Sequence, residues 1–429
     1  MYDVITIGSA TVDVFANTDS QLVKLITKNG EEDFITYPSG SKILIKELNF
    51  MIGGGGTNTA ASFSQLGLKT AFLGKLGLDE NSEKILSLLD ELNIDFLGKQ
   101  DGQTGYSIIL DSIEHDRTIL TFKGSNNYLL TKDVDLSFLK TKWIYSSSMV
   151  GQSFETLKTI FEYAKSKGIK LAFNPSEYQA KLGYEKLKDI LELLDVLVLN
   201  LEEARLLTGK TDLEADELVE FLSTSNTDYV VVTDGHNGST CYHGGAIYHI
   251  SPSSTVKLVE TTGAGDAFAS GFVFGLITNH SLEEALKIGA IQSESVISQF
   301  GAKNKLLTLN EVKIELNNFD GAITINPPKP GSDYKKELPT FFVAPKDKVF
   351  YLKNGKIIHS IEELAYFLKF APDSIFFEHV GKDFNHFADW IEHVFKNNSL
   401  AKLIREKGDK KSMSECLLTH VNKQIKEDE

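Results

Sequence analysis

Through most of the chain, short runs of β-branched and other apolar residues alternate with longer stretches of helical period. Trp143–Tyr145, Lys170–Phe173, Val196–Leu199 and Tyr229–Thr233 read as strands, and Phe154–Lys167, Glu202–Thr208 and Leu282–Phe300 read as helices. Strand, helix, strand at this rhythm predicts βαβ units: an α/β fold with a doubly wound, mainly parallel sheet flanked by helices. Val4, Ile5 and Ile7 within Met1–Ala10 predict a first strand, not a signal peptide. Thr36–Met51 and Thr104–Lys123 alternate like exposed antiparallel strands, which predicts a small β lid over one edge of the main sheet.

The pattern changes after about residue 316. Asp320–Pro339 holds Pro327, Pro328, Pro330, Gly331 and Pro339, which excludes a helix there and reads as a linker. Beyond it, Phe341–Leu352 predicts a strand, Asn354-Gly355 a hairpin turn, and Ile361–Phe370 and Phe387–Phe395 amphipathic helices. Lys407–Glu429 reads as a charged tail around one helix. The expected organisation is an α/β domain over 1–316, a Pro-rich linker over 317–339, a small α+β domain over 340–406 and a tail over 407–429. The linker composition leads us to expect that a chain ending near Leu316 folds alone.

Composition narrows the chemistry. A net charge of −15 argues against a nucleic-acid partner, which needs a concentrated basic face. It does not argue against nucleotides, whose phosphates are bound by local N–H groups and a metal. The two cysteines, Cys241 and Cys416, show no metal or redox spacing, so reduced thiols and a cytoplasmic setting are expected. No stretch approaches the roughly 18 apolar residues of a membrane helix, so no membrane partner is expected.

The strongest chemical signal is Thr261-Thr262-Gly263-Ala264-Gly265-Asp266, which follows the strand-like Val256–Val259 and opens a helix-compatible apolar run. Two glycines let the backbone turn tightly, so that successive N–H groups and the helix N-terminus face one anion. Asp266 then stands where a hydroxyl and a transferring phosphoryl group would meet. The competing reading makes Asp266 a helix cap. A second signal is Gly53-Gly54-Gly55-Gly56-Thr57-Asn58, where the backbone can approach a ligand and Asn58 offers a donor and an acceptor to a polyol. Its competing reading is a turn that Asn58 caps. Phe268 and Asn58 occupy the places where a dinucleotide fingerprint needs its third glycine, and Ala204 stands where a P-loop before Gly209-Lys210-Thr211 needs a glycine.

Taken in order with Gly8-Ser9-Ala10-Thr11-Val12-Asp13, Gly74-Lys75-Leu76-Gly77-Leu78-Asp79, Asn200-Leu201-Glu202-Glu203 and Thr233-Asp234-Gly235-His236-Asn237-Gly238, these motifs make the chain resemble the ribokinase-like (PfkB) carbohydrate kinases over about 1–316. The resemblance implies ATP-dependent phosphorylation of a hydroxyl on a sugar or related polyol. Asp266 is the implied general base and Gly263, Ala264 and Gly265 the anion hole. Asp13, Gly54 and Asn58 are the implied acceptor contacts. Asn200, Glu203, Thr233, Gly235 and Gly238 are the implied nucleotide contacts, with Glu203 reaching magnesium through water. Glu260 stands where the family carries an Asp beside a monovalent-cation site, so potassium is a further implied cofactor. Ser146–Met149 lack the carboxylate that ribokinases proper carry there, which argues against ribose itself.

The rival within the fold is a nucleoside kinase, with Phe34, Tyr37, Phe50 or Tyr106 as a base platform. The rival outside enzymology is a catalytically silent binding or regulatory protein. Arg117, after His115-Asp116, reads as an exposed lid residue. A homodimer through the lid is expected. The C-terminal module resembles a small uncharacterised prokaryotic domain. Docking an unknown protein is its expected role, and its His379, His386 and His393 read as packing residues before metal ligands.

Overall fold

The computed structural model describes residues 1–18, 21–27, 30–36, 39–111, 117–223, 227–256, 258–299, 301–326, 344–345, 348–353, 357–370, 373–382 and 384–428. His115, Asp116, Tyr37, Pro327, Pro328, Pro330, Gly331, Pro339 and the Asn354-Gly355 turn lie outside the described residues. Two compact units emerge: Met1–Thr240 with Ile250–Ile323, and Cys241–His249 with Thr324–Glu429.

In the first unit, seven strands pair in parallel in the order Tyr229–Thr233, Val196–Asn200, Lys170–Phe173, Thr141–Ser146, Tyr2–Ile7, Thr70–Leu73, Asp95–Phe96. Their residues are apolar in continuous runs because helices cover both faces. Val230, Val231 and Val232 are fully buried, as are Val4, Ile5 and Ile7. The chain order reverses on either side of Tyr2–Ile7, the kind of switch point at which open α/β sheets leave a crevice beyond the strand ends.

The lid is a four-stranded sheet in the order Arg117–Phe122, Gly105–Asp111, Thr11–Thr18, Ile45–Gly53. Its middle pair is parallel, with Asp13 opposite Ser107, and the outer pairs are antiparallel. One face carries large apolar side chains in solvent: Phe50, Leu120 and Phe122 are each more than half exposed. Gln21–Thr27 and Gly30–Thr36 form a separate antiparallel hairpin.

One expected strand is absent. Val256, Leu258 and Val259 are irregular, because the Val259 and Glu260 N–H groups both donate to the Ile297 carbonyl at the end of a helix instead of joining a ladder.

The second unit has its own core, which includes Leu364, Leu368, Phe387, Trp390 and Ile404. Phe350–Tyr351 pairs antiparallel with Ile357–Ile358; of the expected strand Phe341–Leu352, residues 341–343 and 346–347 lie outside the described residues. Five helices follow: Ile361–Phe370, Asp373–His379, His386–Phe395, Asn398–Arg405 and Lys410–Asp428. The last occupies the stretch read as a charged tail. Met413, Leu417 and Val421, four apart on one face, are buried in the core, while Lys411 and Glu415 are exposed. His379 is buried against Phe350 and Phe387, and His393 is exposed, with its Nδ1 bonded to the Asp389 carbonyl. Among the described residues no three His, Cys, Asp or Glu side chains are grouped to hold a metal, and no helix is long and apolar enough to cross a membrane.

Candidate active site

Five adjacent parallel strands deliver Ser9, Ser147, Asn174, Asn200 and Thr233 to one edge of the sheet, each at or just beyond a strand end. All five line a cavity of about 350 Å³. Gly263, Gly265 and Asp266 form another part of its wall, with Gly55, Lys123 and Glu203. A second cavity, about 560 Å³, is lined by Gly235, Gly238 and the apolar Val256, Leu258, Phe268 and Ile297. Thr233 and Gly265 line both, so a polar chamber and a more apolar one meet at the glycine turn.

The helix Ala264–Ile277 starts at Gly263, whose φ of 83° lies in the left-handed region and which caps without a side chain. Asp266 is therefore in the first turn rather than at the cap, which removes the capping reading. The first N–H groups of a helix have no intrahelical acceptor, so this turn presents donors and the positive end of the dipole to the cavity. The helix itself is buried on all sides from Ala267 to Gly275, which fixes its axis.

The second glycine motif reaches the same point. Gly54, at a φ of 93°, precedes the helix Gly55–Gln65, so Asn58 lies inside that helix and is no cap. Asn58 Nδ2 donates to Asp266 Oδ2 at 2.8 Å. A Cβ on Gly55 would lie 2.7 Å from Ser147 Oγ and 3.3 Å from Asp266 Oδ1, so glycine keeps the second carboxylate oxygen accessible from the polar chamber. Ser270 Oγ donates to Ser62 Oγ at 2.7 Å and ties the two helices together one turn further on.

Burial raises the Asp266 pKa above the usual aspartate range; the Asn58 hydrogen bond and the Lys303 charge oppose the rise. Lys303 is the residue that sequence reasoning missed. Its ammonium donates to the Ile52 carbonyl at 2.7 Å, to Thr57 Oγ1 at 3.3 Å and to Asn58 Oδ1. Burial pulls its pKa down to about 7, although Asp13 and Asp266 both favour the charged form. The only sequence signal for it was a lysine after Gly301-Ala302, indistinguishable from Lys305 two residues on.

Asp13 is brought near but not into the chamber wall. Its carboxylate accepts from Thr11 Oγ1 at 2.8 Å and lies over Gly53, where a Cβ would be 1.7 Å from Oδ2. Asn200 and Glu203 form a reciprocal cap, with Glu203 N–H to Asn200 Oδ1 at 2.8 Å and Asn200 N–H to Glu203 Oε2 at 2.9 Å. The cap does not withdraw Glu203 from the cavity. Burial first, and the charges of Asp266, Glu177 and Glu202 after it, push its pKa up to about 7 against the Asn200 hydrogen bond. Such an accumulation of carboxylates is the environment that a divalent cation relieves. Glu260 accepts from the Gly301 N–H at 3.0 Å, which holds the Gly301–Lys303 turn beside the glycine turn. Gly238, at a φ of 89°, closes the Thr233–Gly238 loop by accepting the Asp234 N–H at its carbonyl. Lys123 lies 5.1 Å over the Tyr178 ring.

Residues 1–309 match the family model described as pfkB family carbohydrate kinase. The chain is 28% identical over 333 residues to the ribokinase of Lactococcus lactis, covering 75% of this chain and 99% of that one. The ribokinase of Arabidopsis thaliana, solved with ribose and ATP, superposes with a TM-score of 0.61 at 21% identity and covers 73% of this chain and 98% of its own. A nucleoside kinase of Burkholderia thailandensis, solved with inosine, superposes with a TM-score of 0.60 at 18% identity, covering 73% and 98%.

Proposed function

Since the chain belongs to the pfkB family of carbohydrate kinases, and is thereby a phosphotransferase, we propose that it transfers the γ-phosphoryl group of ATP to a hydroxyl of a sugar or related polyol, with Asp266 as the general base. One observation carries this reading: the polar and apolar chambers meet at the glycine turn, with the Asp266 carboxylate on the polar side. Val256, Leu258, Phe268 and Ile297 suit an adenine, and the serine and asparagine lining suits a polyhydroxylated acceptor. The phosphates then lie across Gly263, Ala264 and Gly265, whose N–H groups offset the charge that spreads over the transferring phosphoryl oxygens. As the new P–O bond forms and the bond to ADP breaks, the hydroxyl proton passes to Asp266 Oδ1.

Magnesium, arriving with the nucleotide, neutralises phosphate charge. Glu203 is the side chain of this chain best placed to hold it through water, with Asn200 fixing the carboxylate from behind. Asn200, Thr233, Gly235 and Gly238 frame the nucleotide. Asp13, Gly54 and Asn58 position the acceptor from the lid side. We expect Asp13→Ala to weaken acceptor binding by about 1–3 kcal/mol, read by calorimetric titration; unchanged affinity removes Asp13 from the acceptor site.

The Glu260 position supports a weak potassium effect on turnover, since its carboxylate holds the turn beside the anion hole. Initial rates against potassium chloride, with choline chloride keeping ionic strength constant, test it, and a flat response removes potassium from the scheme. The apolar outer face of the lid supports a second copy of the chain as its cover; a single-chain mass by light scattering contradicts that. The function itself is tested by ADP release from ATP and magnesium over a panel of pentoses, hexoses, sugar acids, sugar phosphates and nucleosides. One polyol class should stand out. Release confined to nucleosides favours the nucleoside reading, and release with no acceptor at all would overturn both.

A further inference from the structure

Lys303 sits behind the reacting centre. Its ammonium has three N–H groups and three acceptors: the Ile52 carbonyl, Thr57 Oγ1 and Asn58 Oδ1. None is left for a substrate, so it is not an acceptor-binding cation. What it does fix is the Asn58 amide. An ammonium can only donate, so the amide oxygen must face Lys303 and the NH₂ must face Asp266, where Nδ2 donates to Oδ2 at 2.8 Å. Oδ2 is thereby occupied, and Oδ1, on the side kept open by Gly55, is the oxygen that faces the chamber.

We infer that Lys303 is a positioning residue for the kinase: acting through Asn58, it holds Asp266 in the one orientation in which Oδ1 takes the acceptor proton. This rests on the reading of Asp266 as the base. The charged groups facing Lys303 are Asp13, from the lid strand Thr11–Thr18, and Asp266, from the helix Ala264–Ile277. Both favour its proton, and burial opposes it, which brings the titration to about 7. As pH rises through that value, the ammonium becomes an amine and no longer obliges Asn58 to present its oxygen. Asp266 keeps its charge but loses a fixed donor. Turnover therefore falls on the alkaline side at the pH where Lys303 deprotonates.

The test follows the full chain, labelled with ¹³C at lysine Cε, alongside the pH profile of kcat. Lys303 is identified as the resonance missing from Lys303→Gln. In the wild type, one lysine should titrate well below the ordinary lysine range, and the alkaline fall in kcat should coincide with it. Lys303→Gln, which can still donate to Asn58 but cannot titrate, should lose that alkaline limb. Its kcat should drop by about 10–100-fold, as for a lost charge-assisted hydrogen bond, with the acceptor KM little changed. Wild-type kcat and an unchanged alkaline limb in Lys303→Gln overturn the inference. If that variant does not fold, the wild type decides: a flat kcat across the pH range where a lysine resonance titrates overturns it equally. If no acceptor is phosphorylated, the functional reading fails on its own account, and the contact is still tested. Asp266→Asn removes an anion facing Lys303 and should lower its titration point further; an unmoved titration means that Lys303 does not sense Asp266.

Discussion

Asp266→Asn is expected to lower kcat by about 10²–10⁴-fold, the usual contribution of a general base, while nucleotide affinity stays close to that of the wild type. The substitution is nearly isosteric. Asn58 Nδ2 can still donate to the new amide oxygen, and the helix start at Gly263 has no side-chain cap to lose. What goes is proton acceptance at the oxygen that faces the polar chamber. The pH profile gives a second check. Because burial raises the Asp266 pKa, the acid limb should lie above the ordinary aspartate range: turnover falls as pH falls through the folded pKa and Asp266 takes up its proton. That limb should be absent from whatever residual turnover Asp266→Asn retains. Initial rates with saturating ATP and acceptor, together with a fluorescent-nucleotide titration, separate the two effects. Near-wild-type turnover in Asp266→Asn sinks the mechanism.

Gly263→Ala is expected to cost turnover through the anion hole, by about 10²–10³-fold, and to lower the melting temperature as well. Gly263 holds a φ of 83°, which disfavours any L side chain by roughly 1–2 kcal/mol. Space forbids it more firmly. A Cβ would lie 2.6 Å from Ala302 Cβ and 2.7 Å from Ala302 Cα, so backbone must move, and the Gly301–Lys303 turn that holds Asn58 moves with it. Gly265→Ala provides the contrast. Nothing lies within 4 Å of a Cβ there, and the residue is helical, so the fold should tolerate the methyl. Yet Gly265 lines both chambers, and the methyl projects toward the place proposed for the phosphates. A normal melting temperature with reduced turnover in Gly265→Ala, set against losses of both in Gly263→Ala, is the expected pair. Full activity in both variants contradicts an anion hole at this turn.

Much of the main sheet was legible because buried parallel strands write themselves as continuous apolar runs. Tyr229–Thr233 and Lys170–Phe173 have the predicted bounds, and Val196–Asn200 runs one residue further. The glycine turn was legible because few other sequences permit a left-handed residue followed at once by a helix. The lid was legible only in part. Thr11–Thr18 pairs in parallel with Gly105–Asp111 across nearly a hundred residues, and no local pattern encodes such a partner. Val256–Val259 has strand composition, but its N–H groups find a helix end instead of a neighbouring strand.

The site divided along the same line. Asp266 and Asn58 stood out by motif, but their hydrogen bond to each other did not. Asn200 and Glu203 were read as nucleotide contacts; the geometry adds a reciprocal cap between them and leaves Glu203 in the cavity wall. Lys303 was invisible. A buried lysine has no periodicity of its own, and only the convergence of Ile52, Thr57 and Asn58 makes its place intelligible.

The most direct measurement is the fate of the terminal phosphate. ATP labelled with ³²P at the γ-position is incubated with magnesium, the purified chain and the acceptor that stimulates ADP release, and the products are separated. The account predicts that the label moves into the acceptor as a phosphate ester, one for each ADP formed, and that Asp266→Asn abolishes most of the transfer. Label released as inorganic phosphate, or transfer undiminished in Asp266→Asn, would contradict it.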